Sequence, residues 1–526
     1  MSESDDGLGD LAVWRYEADD AGKVETWLLG PAAALGAAIE PSGGAEEHDV
    51  YADTEERAFE RAGYALRMRK NGARVEAVVL PLRPGGEESG PLHVASNDAE
   101  ELKRLPEPHG ERIRAVAGLR ALRPVLAAAT RRRVFALRLR GRRCGDLEIE
   151  EISARRPGEK SASAFARVQL KGIEPDDPAL LRFAAALESG CGLARAGGTV
   201  FASALHRLGV TPPPSPVPGP FTSEPDAPVR ALAYAVLRRH LASFLKSEPG
   251  TRLGEDPEAL HDMRVASRRL RAALALFREI LPARAHVFRR RLGRIGRALG
   301  EVRDLDVQLE QLEEFLREAP ASERLAMQAY LATVAARRGR ARRRMLRVLD
   351  SRAYARLVES CCAFVRREPS SRPPAARRAA LAAAPDLILR CYKKASRIGD
   401  RLTPASPAAD WHALRIALKR LRYALEFHAS LYGDDTSDVI EALVALQDLL
   451  GLHQDAQVAM AHLEDMCGPR GRRLARGAAF AMGRVAQRYA ERAEDLRAAF
   501  PKLYRRIRGK LWRRLRNAME GARPHV

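Results

Sequence analysis

The sequence predicts an α+β protein in which an antiparallel β domain precedes an all-α domain of two pseudo-symmetric helical-bundle halves. Three observations carry this reading. Residues 211 to 228, TPPPSPVPGPFTSEPDAP, hold eight prolines in eighteen positions, which neither a helix nor a central strand tolerates. Short segments with turn residues between them precede this stretch, and long apolar patterns at helical spacing follow it. Within the helical part, one basic segment occurs twice.

In the N-terminal part, residues 133–140, 146–152 and 166–170 are rich in Val, Leu and Arg and are separated by stretches with Gly and Pro, so they predict antiparallel strands. The proline-rich stretch is then read as a linker over 211–228. Beyond it, Asp256-Pro257 and Ser406-Pro407 both have the form of an N-cap followed by proline in the first helical position. The four prolines between Glu368 and Pro385 place a connection between two copies, giving halves of about 229–367 and 386–515.

The two copies are explicit. His261-Asp-Met-Arg264-Val-Ala-Ser-Arg268-Arg269-Leu270-Arg271-Ala-Ala-Leu274 matches His412-Ala-Leu-Arg415-Ile-Ala-Leu-Lys419-Arg420-Leu421-Arg422-Tyr-Ala-Leu425 at eight of fourteen positions, 151 residues on. Leu299-Gly300 and Asp304 recur as Leu450-Gly451 and Asp455 at the same offset, so the repeat extends beyond one helix. At about 100° per residue, His261, Arg264, Arg268 and Arg271 share one arc, as do His412, Arg415, Lys419 and Arg422. Met263, Ala266, Leu270, Leu274 and Phe277 form the opposite, apolar stripe, matched by Leu414, Ala417, Leu421 and Leu425. Few acidic residues stand three or four positions away, so intrahelical ion pairing does not account for the basic face. A solvated face tolerates any charge at any exposed position, whereas this pattern repeats a histidine and three cations, which favours a binding surface.

Charge narrows the ligand. The chain of 526 residues carries a formal charge of +21, but residues 1–220 hold 30 Lys and Arg against 33 Asp and Glu, and residues 221–526 hold 59 against 35. The polyanion-binding part is therefore the C-terminal one. Arginine predominates, and its planar fork of donors suits phosphate oxygens. Aromatic residues make up only 6% of the chain and no zinc-finger or basic-zipper pattern occurs, so base stacking and base readout have little support. A ligand made only of phosphates needs neither. Nucleic acid is the less favoured partner, and the sequence does not specify an oligomeric state. Six cysteines without a C-x-x-C pair fit no disulfide framework. No apolar run reaches about 18 residues, and the acidic start lacks the apolar region of a signal peptide. The expectation is a cytoplasmic protein without membrane association.

The C-terminal part, about residues 225 to 515, resembles the CHAD family on His261-x-x-Arg264-x-x-x-Arg268-Arg269-Leu270-Arg271, Leu299-Gly300-x-x-Arg303-Asp304 and the second copy from His412 to Arg422. The resemblance implies inorganic polyphosphate bound by His261, Arg264, Arg268, Arg271, Arg303, His412, Arg415, Lys419 and Arg422, and association with polyphosphate granules. The second copy has Gln454 where the first has Arg303.

Residues 10–208 resemble the CYTH family of triphosphate tunnel enzymes through Asp49-Val-Tyr-Ala-Asp53-Thr54, Gly63 to Arg69, Thr130 to Arg133 and Gln169-Leu170-Lys171-Gly172. This implies an antiparallel barrel or tunnel in which Arg67, Arg69, Arg131, Arg133, Arg138 and Lys171 contact phosphate. The family's opening Glu-x-Glu-x-Lys strand has no counterpart between Leu11 and Glu25, and a later acidic strand reads Arg167-Val-Gln169-Leu170-Lys171. Phosphoryl transfer to water by these enzymes uses carboxylate-held metal. The departures point to a degenerate tunnel without a catalytic residue, metal or other cofactor. Glu148 and Glu150, two apart on one strand face, are the carboxylates through which a metal-dependent triphosphatase would act, or else they counter the neighbouring arginines on a solvated face. Non-specific nucleic-acid binding by the basic helices is the other alternative.

Overall fold

The computed structural model describes residues 12–71, 74–82, 92–94, 98–105, 109–174, 176–196, 198–211, 217–318, 320–366, 373–467 and 476–522. The chain divides into two compact units, residues 1–213 and 214–526. Residues 212–216, near the start of the proline-rich stretch, lie outside the described residues, as do 367–372 of the second proline-containing connection.

The first unit is built on one antiparallel sheet. Its elements are β1 (Ala12–Ala18), α1 (Ala21–Leu29), β2 (Ala37–Asp53), α2 (Ala58–Ala62), β3 (Tyr64–Asn71), β4 (Arg74–Pro81), β5 (Leu92–Val94), α3 (His109–Ala117), β6 (Arg123–Leu139), β7 (Arg142–Arg155), β8 (Ser163–Gly172), α4 (Pro178–Cys191), β9 (Ala194–Arg195) and α5 (Val200–Arg207). The strand order is β5-β4-β3-β2-β6-β7-β8-β1-β9. The strands expected at 133–140, 146–152 and 166–170 are thus parts of β6, β7 and β8. The expected closed barrel is corrected to an open sheet, because β5 and β9 are its edges and do not pair with each other.

Alternation along the strands gives the sheet two faces. Leu137, Leu147, Ile149, Val168 and Leu170 pack with Tyr16 beneath Val24 and Leu28 of α1 and Leu180, Phe183 and Leu187 of α4. On the other face, Tyr51, Leu126, Ile152 and Phe165 form a smaller core with Phe201 and Leu205 of α5. Asp53, at the end of β2, accepts the backbone N–H groups of Phe59 and Glu60 at 2.9 and 3.0 Å and so fastens α2.

The second unit repeats a set of helices. The first copy comprises α6 (Val229–Leu253), α7 (Pro257–Leu276), α8 (Ala285–Glu318), α9 (Ala321–Leu349) and α10 (Arg352–Arg366). The second comprises α11 (Ala380–Gly399), α12 (Ala408–Phe427), the short α13 (Ala429–Tyr432), α14 (Asp434–Cys467), α15 (Arg476–Arg508) and α16 (Lys510–Gly521). Helices α7 and α12 each have 20 residues, and α8 and α14 each have 34. In both copies the basic helix packs between the helix before it and the long helix after it, and α7 also packs on α12.

The start signals differ from expectation at one helix. Asp256 caps α7 by accepting the Glu258 N–H at 2.8 Å, with Pro257 following. At α12 the cap position is Pro407, not Ser406, whose hydroxyl instead accepts the Thr403 N–H at 2.9 Å. Pro385 lies inside α11 rather than in the connection, since the helix begins at Ala380.

The apolar stripes fill the cores. Met263, Ala266, Leu270, Leu274 and Phe277 are buried in the first, and Leu414, Ala417, Leu421 and Leu425 in the second. Burying a side chain the size of Leu270 contributes roughly 1.5–3 kcal/mol, so the stripe fixes which face of each helix is left for a ligand. At the end of α6, Arg252 is almost fully buried; it donates to Glu248 at 2.7 Å and Asp350 at 2.5 Å, and Tyr354 donates to Glu248 at 2.7 Å. Among the described residues no helix is long and apolar enough to cross a membrane.

Candidate anion-binding site

The packing of α7 on α12 gathers cations from both copies. Arg264 and Arg268 come from the first, and Arg415, Lys419 and Arg422 from the second. Lys419 is the centre of the group. Burial pushes its ammonium down to about 7, and Arg415, Arg268, Arg264 and Arg422 add to the shift in that order. Arg415 is also pushed below its ordinary value, first by burial; Asp455 opposes the shift, whereas Arg268 and Arg264 deepen it. These residues are about 150 positions apart in sequence yet sense one another's charge.

Two carboxylates at repeated positions border the group. Arg264 donates to Asp304 at 3.0 Å. Burial raises the pKa of Asp455, and Arg415 is the largest opposing influence. Two acids against five cations leave the group positive. Arg422 is partly offset by Glu426 at 3.4 Å, which also receives Arg269 at 3.0 Å.

The repeated glycines position the arginines. A Cβ on Gly300 would lie 3.6 Å from Arg264 Nε, and one on Gly451 would lie 3.7 Å from Arg415 Nη2. Each guanidinium therefore rests against a bare stretch of the following long helix, where a methyl group would just touch it and only a side chain longer than alanine's would compete for its place. Tyr423 supplies a second support. Arg268 Nε donates to its hydroxyl at 2.5 Å, and the guanidinium carbons of Arg268, Arg269 and Arg422 lie 5.5 to 5.9 Å from its ring centre.

The remaining expected residues are placed less centrally. His412 is exposed, and its Nδ1 lies 2.8 Å from Gln454 Oε1, to which it donates in the matching tautomer. Thus the glutamine that replaces the arginine of the first copy holds the second histidine. His261 is half-buried and forms no hydrogen bond among the described residues. Arg303 is half-buried on α8 and forms no ion pair among the described residues. Arg271 is on the same face of α7 but is grouped with Arg289 and Arg297 of α8. Tyr423 was missed in the sequence, because its counterpart in the first copy is Ala272 and the repeat pattern gave no reason to select it.

The first unit presents a different charged surface. On the sheet face that also carries the α5 contact, Arg69 pairs with Glu47 and Asp49, both at 2.7 Å, and Arg132 with Glu47 at 3.3 Å and Glu148 at 3.7 Å. Lys171 pairs with Glu148 at 2.8 Å. Glu150 is opposite Arg132 and Arg167, and burial raises its pKa against the pull of Arg167. Arg67 is on this face opposite Tyr51. Arg138 is near the end of β6 and pairs with Glu40 at 3.5 Å.

Arg131 and Arg133 do not belong to this face. Strand alternation turns them to the other side, where Arg133 pairs with Glu25 and Glu151. Arg132 takes the inner position that sequence reading gave to Arg131 and Arg133, and Arg167, which that reading did not select, shares this face with Lys171. The run Arg131-Arg132-Arg133 hides the register, although counting from Glu148 and Glu150 across the hairpin selects the middle arginine. The carboxylates here are matched to cations, and among the described residues no three His, Cys, Asp or Glu side chains converge as a metal site would require.

Comparison with known proteins finds one family model that matches part of the second unit. The family model described as the CHAD domain matches residues 235–464. The CHAD domain from the plant Ricinus communis is 29% identical, with 55% of this chain and 96% of that chain covered and a TM-score of 0.46. PptA from Streptomyces chartreusis is 22% identical over 53% of this chain and 100% of that chain, with a TM-score of 0.43. A putative adenylyl cyclase from Hippeastrum, described as having a dominant triphosphatase activity, is 16% identical over 39% of this chain and 98% of that chain, with a TM-score of 0.27. No curated protein matches the chain.

Proposed function

We propose that the protein, whose residues 235–464 match the CHAD domain model, binds inorganic polyphosphate in the basic group between α7 and α12, and that it associates with polyphosphate granules by this means. The supporting observation is the convergence of Arg264, Arg268, Arg415 and Lys419 from two repeat helices, with Asp304 and Asp455 opposing them. Four cations held close together repel one another. A chain of phosphates relieves that repulsion and accepts charge-assisted hydrogen bonds from each guanidinium. Arg422, Arg271, Arg303, His261 and His412 extend the surface on either side. Release of counterions from the polyanion drives much of the binding, so affinity falls steeply as salt rises.

In the first unit, pairing of Glu148 with Lys171 and Arg132 favours a salt-bridged face over the metal-dependent triphosphatase reading. Non-specific nucleic-acid binding is separated by competition. The test is binding of labelled long-chain polyphosphate at near-physiological salt, with duplex and single-stranded DNA as competitors. A His261→Ala/Arg264→Ala/His412→Ala/Arg415→Ala variant is measured beside the wild type. Binding that resists DNA and collapses in the variant is expected. Binding that DNA abolishes, or that the variant retains, rejects the proposal.

A further inference from the structure

Arg271 occupies the place in the first copy that Arg422 holds in the second, but its surroundings differ. Its guanidinium lies across α8 where two side chains are absent: a Cβ on Gly293 would be 3.7 Å from its Nε, and one on Gly296 would be 3.4 Å from its Nη1. Arg289 and Arg297, one turn to either side of Gly293, are close enough to depress the Arg271 pKa further after burial has done so. All three are exposed, and among the described residues none forms an ion pair. Arg271 is therefore held by packing against bare helix, with no carboxylate to hold it.

The second copy has lost this arrangement. At the 151-residue offset, Arg289, Gly293, Gly296 and Arg297 become Ile440, Val444, Gln447 and Asp448. Arg422 itself is partly offset by Glu426. The long helices are otherwise alike in length and in their glycine at 300 and 451, so the difference is local.

We infer that Arg271, Arg289 and Arg297 form a second phosphate-binding subsite, through which a polyphosphate chain leaving the central group continues along α8 of the first copy only. This inference rests on the proposed polyphosphate binding. From Asp304, beside the central group, to Arg289 is fifteen residues of helix, about 22 Å, so the two places can share a ligand only if it is a long chain. The subsite makes affinity depend on chain length. It also makes the bound chain run over one half of a pseudo-symmetric domain.

The experiment compares long-chain polyphosphate with tripolyphosphate on the full-length protein. Wild type, Arg289→Gln/Arg297→Gln and a charge-matched control, Arg506→Gln/Arg513→Gln, are titrated at fixed salt, with circular dichroism confirming helical content. The subsite variant is expected to bind the long chain about tenfold more weakly and to keep wild-type affinity for tripolyphosphate, while the control changes neither by more than about twofold. Equal loss in the control would mean diffuse attraction and would overturn the subsite, as would equal loss for both ligands or none for the long chain. Those outcomes leave the central proposal standing if the wild type binds. Failure of the wild type to bind polyphosphate would overturn both.

Discussion

Arg268 of the first repeat donates to the hydroxyl of Tyr423 in the second, at 2.5 Å, and no equivalent bond exists in the reverse direction. The symmetric partner of Arg268 is Lys419, and the residue equivalent to Tyr423 is Ala272, which has no hydroxyl to offer. One cation is consequently fixed by a donated hydrogen bond, and the other is left buried among positive charges.

Replacing Tyr423 by phenylalanine keeps the ring beneath three guanidinium groups and removes only the acceptor. A net loss of about 1 kcal/mol in polyphosphate binding is expected, roughly fivefold in affinity, because Arg268 is no longer held in place. Titration of Tyr423→Phe beside a thermal melt tests this. An unchanged affinity would show that Arg268 is positioned without the tyrosine.

The position of Lys419 sets a proton linkage. Arg264 and Arg268 face it from α7, Arg415 and Arg422 from its own helix, and Asp455 from α14, while Asp304 of α8 acts on Arg415 and Asp455. With its pKa down at about 7 in the free protein and near 10.4 in an unfolded chain, the unfolded state binds more protons between those values. The contribution to stability therefore rises with pH through that window and is lost as pH falls towards 7. A bound polyanion restores the charge, so binding at pH 7.5 takes up a proton and weakens as pH rises. Calorimetry in buffers of different ionisation enthalpy measures the uptake, and Lys419→Met should abolish it.

Two histidines in the second unit report acid sensitivity. His428 is fully buried, with its Nδ1 against the Ala424 carbonyl at 2.6 Å, and burial pushes its pKa down to about 4. His453, a nearly inaccessible residue, is also pushed down to about 4 by burial, with Arg497 adding to the shift. Folded pKa values below the ordinary 6.5 mean that stability is full at neutral pH and declines as pH falls from about 6.5 to 4. At pH 5 the loss is on the order of 1–2 kcal/mol for each histidine. Urea unfolding at pH 7 and 5 should show the loss, and His428→Leu should diminish it.

Arg252 tests the packing at the end of α6. It is the cation between Glu248 and Asp350, and its removal takes from the buried Glu248 carboxylate the guanidinium that neutralises it. Arg252→Met should destabilise the helical unit by about 3–5 kcal/mol, whereas a Glu248→Leu/Arg252→Met pair should recover part of the loss. Chemical unfolding of the variants distinguishes these results.

The repeat was legible because both basic helices keep one face for the core and one for charge. Their apolar stripes could be read directly from the spacing, and their ends nearly so. Two features were less accessible. Arg131-Arg132-Arg133 has no internal alternation, so only the strand pairing identifies Arg132 as the inner residue. Tyr423 belongs to one copy alone, and a reading based on what the copies share passes over it. The open sheet was also hidden, since closure depends on how the edge strands meet rather than on any strand's own pattern. Ser406-Pro407 has the form of a start signal, yet that hydroxyl serves the preceding turn.

The central claim is that both repeat helices hold one phosphate chain, and a structure of the protein with long-chain polyphosphate tests it most directly. The account predicts a continuous ligand between α7 and α12, with phosphate oxygens within hydrogen-bond distance of Arg264, Arg268, Arg415 and Lys419. Ligand bound to one helix alone, or spread along the basic surfaces of α9, α15 or α16, would contradict it.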